Sequence, residues 1–242
     1  MVKEFVFAGF GGQGVLTAGI LLANTGAIND MEVSWIPSYG SEMRGGTANC
    51  TVKLGDEEVP SPFAKRIDVL VAMNAPSLDK FRGMVKKETG IIVVNSSVVK
   101  DIPEIEGVKV IAVPMLEIAR KHENERSSNI VAVGAAVGAS DIMSREMMCD
   151  GIESYFSKYG KSNAKNIAVL TRATTGPERK WHNGSSETAQ PPKHRCGWRQ
   201  REARLRSLHL HQPDQILQDR PHLFYPPQAR DRSWQEVLSQ HF

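Results

Sequence analysis

An α/β domain with a mostly parallel sheet is what this sequence predicts, and three observations predict it. Short apolar runs alternate with amphipathic stretches over about 170 residues, the rhythm of strands and helices packed in layers. Two of those runs, Ile67–Met73 and Ile91–Asn95, are continuously apolar, as strands covered on both faces are. The first run passes at once into a glycine turn and then a helical pattern.

Lys3–Ala8 reads as the first buried strand. From Gln13 to about Ile28, Val15, Ile20, Leu22, Ala23 and Ala27 recur at helical spacing. Val33–Ile36 is a short second strand, followed by a polar, glycine-rich segment, Pro37–Gly46. Thr47–Leu54 alternates and carries β-branched positions, a third strand, and Gly55-Asp56 turns the chain. Between the two continuously apolar strands, Ala75–Glu88 has the pattern of an amphipathic helix. Val108–Val113 is a further strand closed by Pro114, and Met115–Glu123 a helix. Asn129–Ala139, rich in alanine and glycine, fits a tightly packed helix. Ser144 is a cap for a last helix reaching about Phe156.

A chain of 242 residues, 40% apolar, supplies one good core or one core with an appendage. No run reaches 18 consecutive apolar residues, which argues against a membrane span. The chain opens on Lys3-Glu4-Phe5 without a basic segment and apolar run, so a cytoplasmic address is expected. Cys50, Cys149 and Cys196 lack the short spacings of a zinc or iron–sulfur site, and they are too few for a disulfide framework.

The composition changes near residue 171. Up to Leu170 there are 18 Lys and Arg against 20 Asp and Glu; beyond it, 12 against 7. The last 72 residues hold six of the seven histidines, and ten of their twelve basic residues are arginine. Patches such as Leu205–Leu210, Leu223–Tyr225 and Trp234–Leu238 are too small and too far apart to close a second core. The expected division is therefore a domain over 1–170 and an atypical basic Arg/Gln/His/Pro-rich tail over 171–242. That tail reads as disordered, or as the product of a shifted reading frame. Its scattered arginines and aromatics make nucleic acid an unlikely partner.

Two polar motifs carry the chemistry. In the first, Gly9-Phe10-Gly11-Gly12-Gln13-Gly14, glycines follow a strand and open a helix. Such a turn lets a ligand or another backbone approach closely, and the helix offers N–H groups to an anion. A dinucleotide would also need an acid about 20 residues on. Asp30 and Glu32 keep that reading open, although the second strand ends in Ser34-Trp35-Ile36-Pro37. The second motif, Tyr39-Gly40-Ser41-Glu42-Met43-Arg44-Gly45-Gly46-Thr47-Ala48-Asn49, puts one acid, one arginine and three glycines in one stretch. Polar irregular segments at strand ends are where ligand and partner contacts concentrate. Arg44 suits a phosphate or carboxylate through its rigid donor fork, and equally suits a surface pair with Glu42. The contact residues expected in the two motifs are Gly9, Gly11, Gly12, Gln13, Gly14, Tyr39, Gly40, Glu42, Arg44, Gly45, Gly46 and Asn49.

These motifs, with Cys50 and Ser61-Pro62, closely resemble the gamma subunit of 2-oxoacid:ferredoxin oxidoreductases, over roughly residues 3 to 170. The resemblance is strongest to 2-oxoglutarate-type (2-oxoglutarate synthase) enzymes, and Tyr39–Cys50 is its most specific part. The indolepyruvate branch has Gln where Met43 stands here. The resemblance implies a Rossmann-like three-layer domain within a thiamine diphosphate-dependent complex. That complex would convert a 2-oxoacid, 2-oxoglutarate by preference, to an acyl-coenzyme A and pass electrons to ferredoxin. Its thiamine diphosphate, Mg2+ and iron–sulfur clusters would belong to alpha and beta partners and a delta ferredoxin-like subunit, with coenzyme A as acyl acceptor. The chain itself has no Gly-Asp-Gly…Asn diphosphate signature and no histidine–acid nucleophile system, so it is expected to be catalytically silent alone, with no metal. His122, in the charged stretch Arg120–Glu123, reads as solvent-facing. The alternative is a non-catalytic nucleotide-binding protein of Rossmann-like fold.

Overall fold

The computed structural model describes residues 2–39, 46–59, 61–157 and 164–175. Six strands form one sheet in the order β2-β3-β1-β4-β5-β6. The strands are β1 (Lys3–Phe10), β2 (Glu32–Tyr39), β3 (Thr47–Gly55), β4 (Val69–Ala72), β5 (Ile91–Asn95) and β6 (Lys109–Val113). Ladders β1–β4, β4–β5 and β5–β6 are parallel, while β3 runs antiparallel to both of its neighbours. So β3 alone opposes the other five, and the sheet is largely parallel as its apolar runs predict.

The period of two along each strand sorts side chains to two faces. Phe5, Phe7, Val69, Val71, Val93, Ile111 and Val113 enter the larger core. On that face lie α1 (Val15–Ile28), α3 (Met115–Lys121), α4 (Ser128–Ser140), α5 (Arg145–Ser157) and α6 (Ala164–Thr175). Val6, Ala8, Leu70, Ala72, Ile92 and Val94 point the other way, onto α2 (Ala75–Phe81) and the loop carrying Ile102 and Ile105. The result is a three-layer α/β domain. In the larger core Cys50 is fully buried, and burial pushes its thiol up to about 12, so it packs as a small apolar group.

Several elements differ from the sequence reading, each for a local reason. The stretch Ala75–Glu88 is helical only to Phe81; a 3-10 turn at Arg82–Met84 and the chain turn at Glu88 (φ +70°) end it, with Gly83 weakening the helix between. β2 reaches back to Glu32 and on to Tyr39, through Pro37, because it lies at the sheet edge, where a missing N–H costs no ladder bond. Asn49 is a paired residue of β3, opposite Ala8 and Ser38, and not part of a loop. Helix α6 went unread in the sequence and runs across the composition change at residue 171. It packs on Gly134 and Gly138 of α4: a Cβ at Gly138 would meet the Thr174 carbonyl oxygen at 2.8 Å, and one at Gly134 the Ala173 Cβ at 2.7 Å. As expected, the Ser144 hydroxyl accepts the Met147 N–H at 3.2 Å where α5 begins.

Candidate functional site

A cleft of about 370 Å³ opens at the carboxyl ends of the parallel strands, where an open α/β sheet places ligands. Gly12, Gln13, Gly14, Met73, Asn95, Leu116, Glu125, Arg126 and Ser128 line it. Each arrives from the end of a strand or the start of a helix, so the chain's apolar layering itself puts polar groups here.

The turn after β1 is closed by Gln13. Its backbone N–H donates to the Phe10 carbonyl at 3.2 Å, and its Oε1 accepts the Phe10 N–H at 2.7 Å. Its Nε2 reaches the Met73 carbonyl at 3.4 Å and so ties the turn to the end of β4. Side chains cannot replace hydrogens at two places here. A Cβ at Gly9 would stand 2.5 Å from Gln13 Oε1, and Gly14 sits at φ +73° against the Asn129 side chain. Gly12, at φ +92°, has no atom within 4 Å of a Cβ position and faces open space. Gly14 precedes α1 without a side-chain cap, so the first-turn N–H groups of that 14-residue helix are left for another acceptor.

Two of the motif residues meet through the backbone: the Gly11 N–H donates to the Gly46 carbonyl at 2.9 Å. Tyr39 pairs with Ala48 at the end of β2, and Thr47 opens β3 opposite Phe10. Gly40, Glu42, Arg44 and Gly45 lie outside the described residues, as do 176–242. His122 ends α3, half-buried, and takes no part in the cleft lining.

Sequence reading missed the far wall of the cleft. Asn95 is 1% exposed at the end of an otherwise apolar strand, and Ser128 opens α4 at 8%. A polar residue terminating a continuously buried run was the available signal. Arg126 stands exposed at the rim, beside Glu125, whose carboxylate accepts from Arg120 at 2.6 and 3.0 Å. Among the described residues no three His, Cys, Asp or Glu side chains converge as metal ligands would, and no helix is long and apolar enough to cross a membrane.

Residues 4–175 match the family described as pyruvate ferredoxin/flavodoxin oxidoreductase, nearly the whole described body. The chain belongs to that family. Within this oxidoreductase family it is 41% identical over 165 residues to ketoisovalerate oxidoreductase subunit VorA of Methanothermobacter marburgensis, covering 67% of this chain and 34% of that protein. This chain thus spans about a third of the length of that relative. The 2-oxoglutarate synthase subunit KorC of Methanocaldococcus jannaschii is 34% identical over 152 residues, 61% of this chain and 80% of its own length. Among solved structures, the keto/oxoacid ferredoxin oxidoreductase gamma subunit of Geobacter sulfurreducens superposes with a TM-score of 0.59 at 26% identity, over 72% of this chain and 96% of that one.

Proposed function

We propose that this chain is the gamma-type subunit of a complex that cleaves a 2-oxoacid oxidatively, delivering the acyl group to coenzyme A and electrons to ferredoxin. One observation carries the reading: the described body corresponds to nearly the full length of a gamma subunit within the same family. Thiamine diphosphate would supply the carbanion chemistry of decarboxylation, and clusters the one-electron steps.

The described donor set does not fit either group. Cys149, on α5, and Cys50, in the sheet, are buried in the core, and burial raises the thiol of Cys149 to about 11. No acid trio stands ready for Mg2+ among the described residues. On this reading both groups belong to the alpha, beta and delta ferredoxin-like partners, and this chain's contribution is positional. Its turn after β1, locked by Gln13, offers the N–H groups of Gly12 and Gly14 and a side-chain-free surface at Gly12 to whatever closes the cleft. Phe63 and Val98, 62% and 43% exposed, are apolar groups left for partner contact.

On substrate, the higher identity to the ketoisovalerate subunit favours a branched-chain 2-oxoacid. The second reading is 2-oxoglutarate, supported by the Tyr39–Cys50 resemblance and by the matching extent of KorC. Co-expression with cognate alpha and beta subunits, followed by size-exclusion chromatography, tests assembly: co-elution is expected, and elution alone at micromolar concentration overturns the proposal. Steady-state assay of the assembled complex with 2-oxoisovalerate, 2-oxoglutarate and pyruvate then ranks substrates. A kcat/KM highest for 2-oxoisovalerate is expected.

A further inference from the structure

Gly14 is held from behind by α4. Its carbonyl accepts the Ala18 N–H at 2.9 Å, and it also accepts Asn129 Nδ2 at 3.4 Å, from a residue 115 positions away. Asn129 is buried, the second residue of α4, and no part of the cleft lining. Its chain neighbour Ser128 and its partner Gly14 both line the cleft. Asn129 Oδ1 accepts the Ile130 N–H at 2.9 Å, which turns the amide nitrogen toward Gly14. The fit is close: a Cβ at Gly14 would stand 2.7 Å from that nitrogen and 3.1 Å from the Asn129 Cβ. Gly14 is thus seated on the Asn129 side chain, and only a residue without a Cβ sits there at φ +73°. The turn's other tether is Gln13, whose Nε2 reaches the Met73 carbonyl. Gln13 sets the turn against the sheet, and Asn129 sets it against α4.

We infer that Asn129 is a positioning residue, which fixes the separation of Gly14 from Ser128 and with it the width of the cleft. It acts through Gly14 and lines nothing itself. Groups that bind a ligand need to be held to within about 0.5 Å, and the residues behind them do the holding. Losing the contact frees the start of α1 to shift against the start of α4. The inference rests on the gamma-subunit reading, in which the reacting groups belong to partner subunits. The loss should therefore appear in the KM of the co-substrate that occupies the cleft, and not in kcat.

Two variants remove the donor. Asn129→Asp is isosteric and keeps the acceptor for Ile130, but turns an oxygen toward the Gly14 carbonyl; Asn129→Ser is too short to reach it. Amide hydrogen exchange of the full-length chain needs no partner. It is read at the N–H groups of Gln13 and Ala18, which are bonded to the Phe10 and Gly14 carbonyls. Exchange about tenfold faster at both, with the interior of β1 unchanged, is expected in each variant. Parent-like exchange in folded variants overturns the inference. So does failure of both variants to fold, which makes Asn129 a core residue and nothing more. In the assembled complex, coenzyme A and 2-oxoacid are titrated separately. One apparent KM is expected to rise about tenfold with kcat unchanged. Parent values of both KM, or a loss confined to kcat, overturn the role. If the parent chain does not assemble with its partners, the gamma-subunit reading fails, and the exchange experiment still decides whether Asn129 holds the turn.

Discussion

The backbone N–H of Gly11 donates to the carbonyl oxygen of Gly46 at 2.9 Å, joining the turn after β1 to the residue before β3. Because Phe10 stands opposite Thr47 and Tyr39 opposite Ala48, both flanks of the Tyr39–Asn49 motif end beside that turn. The first segment is thus tied, through Gly46, to the described C-terminal flank of the second.

Gly14 is the stricter of two left-handed glycines in the turn after β1. Gly14→Ala adds a Cβ 2.7 Å from Asn129 Nδ2 at φ +73°, whereas Gly12→Ala meets strain but no atom. Denaturant unfolding is expected to show a loss of about 2–3 kcal/mol for the first and about 1–2 kcal/mol for the second. Equal losses would mean that contact with Asn129 contributes nothing.

Helix α6 sets where the chain can be shortened. A chain ending at Thr175 is expected to unfold cooperatively with the parent's midpoint. One ending at Leu170 loses the buried Ala173 and the Thr174 backbone packed on Gly138. That second chain should lose about 2 kcal/mol, or roughly 4–8 °C in Tm. Calorimetry of the two chains side by side decides it.

Lys53 and Glu4 form a largely buried pair at 2.9 Å, with side chains 7% and 17% exposed. Burial raises the Glu4 carboxyl, but the Lys53 ammonium and the N–H groups of Lys65 and Arg66 outweigh it, and the carboxyl lies below its ordinary value. A lowered folded pKa gives stability that is complete above the unfolded value and is lost as pH falls through the folded one. Lys53→Met is expected to cost about 2 kcal/mol at neutral pH, since it leaves the carboxylate without its cation and held only by the Lys65 and Arg66 N–H groups. The deficit should shrink on acidification, measured as urea midpoints from pH 7 to pH 3.

Arg44→Lys keeps charge but removes the donor fork. In the assembled complex kcat/KM is expected to fall about tenfold, the worth of one hydrogen bond to a charged group. Coenzyme A and 2-oxoacid titrated separately will show which apparent KM rises. A variant matching the parent in kcat and both KM values assigns Arg44 to the surface.

Much of the sheet was legible because continuous apolar runs have few other uses: Ile91–Asn95 has the bounds the sequence suggested. The antiparallel setting of β3 was not, since Thr47–Gly55 alternates the same way whichever direction its neighbours run. Helix α6 escaped because its apolar residues, Ile167, Val169, Leu170 and Ala173, sit astride the change in composition. The cleft was half legible. Glycines announce a tight turn in any sequence, whereas Asn95 and Ser128 acquire meaning only when the end of β5 and the start of α4 meet at the same place.

The dependence of α4 on α6 also bears on how the chain is made. Helix α4 leaves the ribosome with Gly134 and Gly138 unfilled, and the residues that cover them lie more than thirty positions later. Any length of chain that stops short of those residues leaves the small-residue strip at Gly134 and Gly138 without the α6 cover it has in the folded domain.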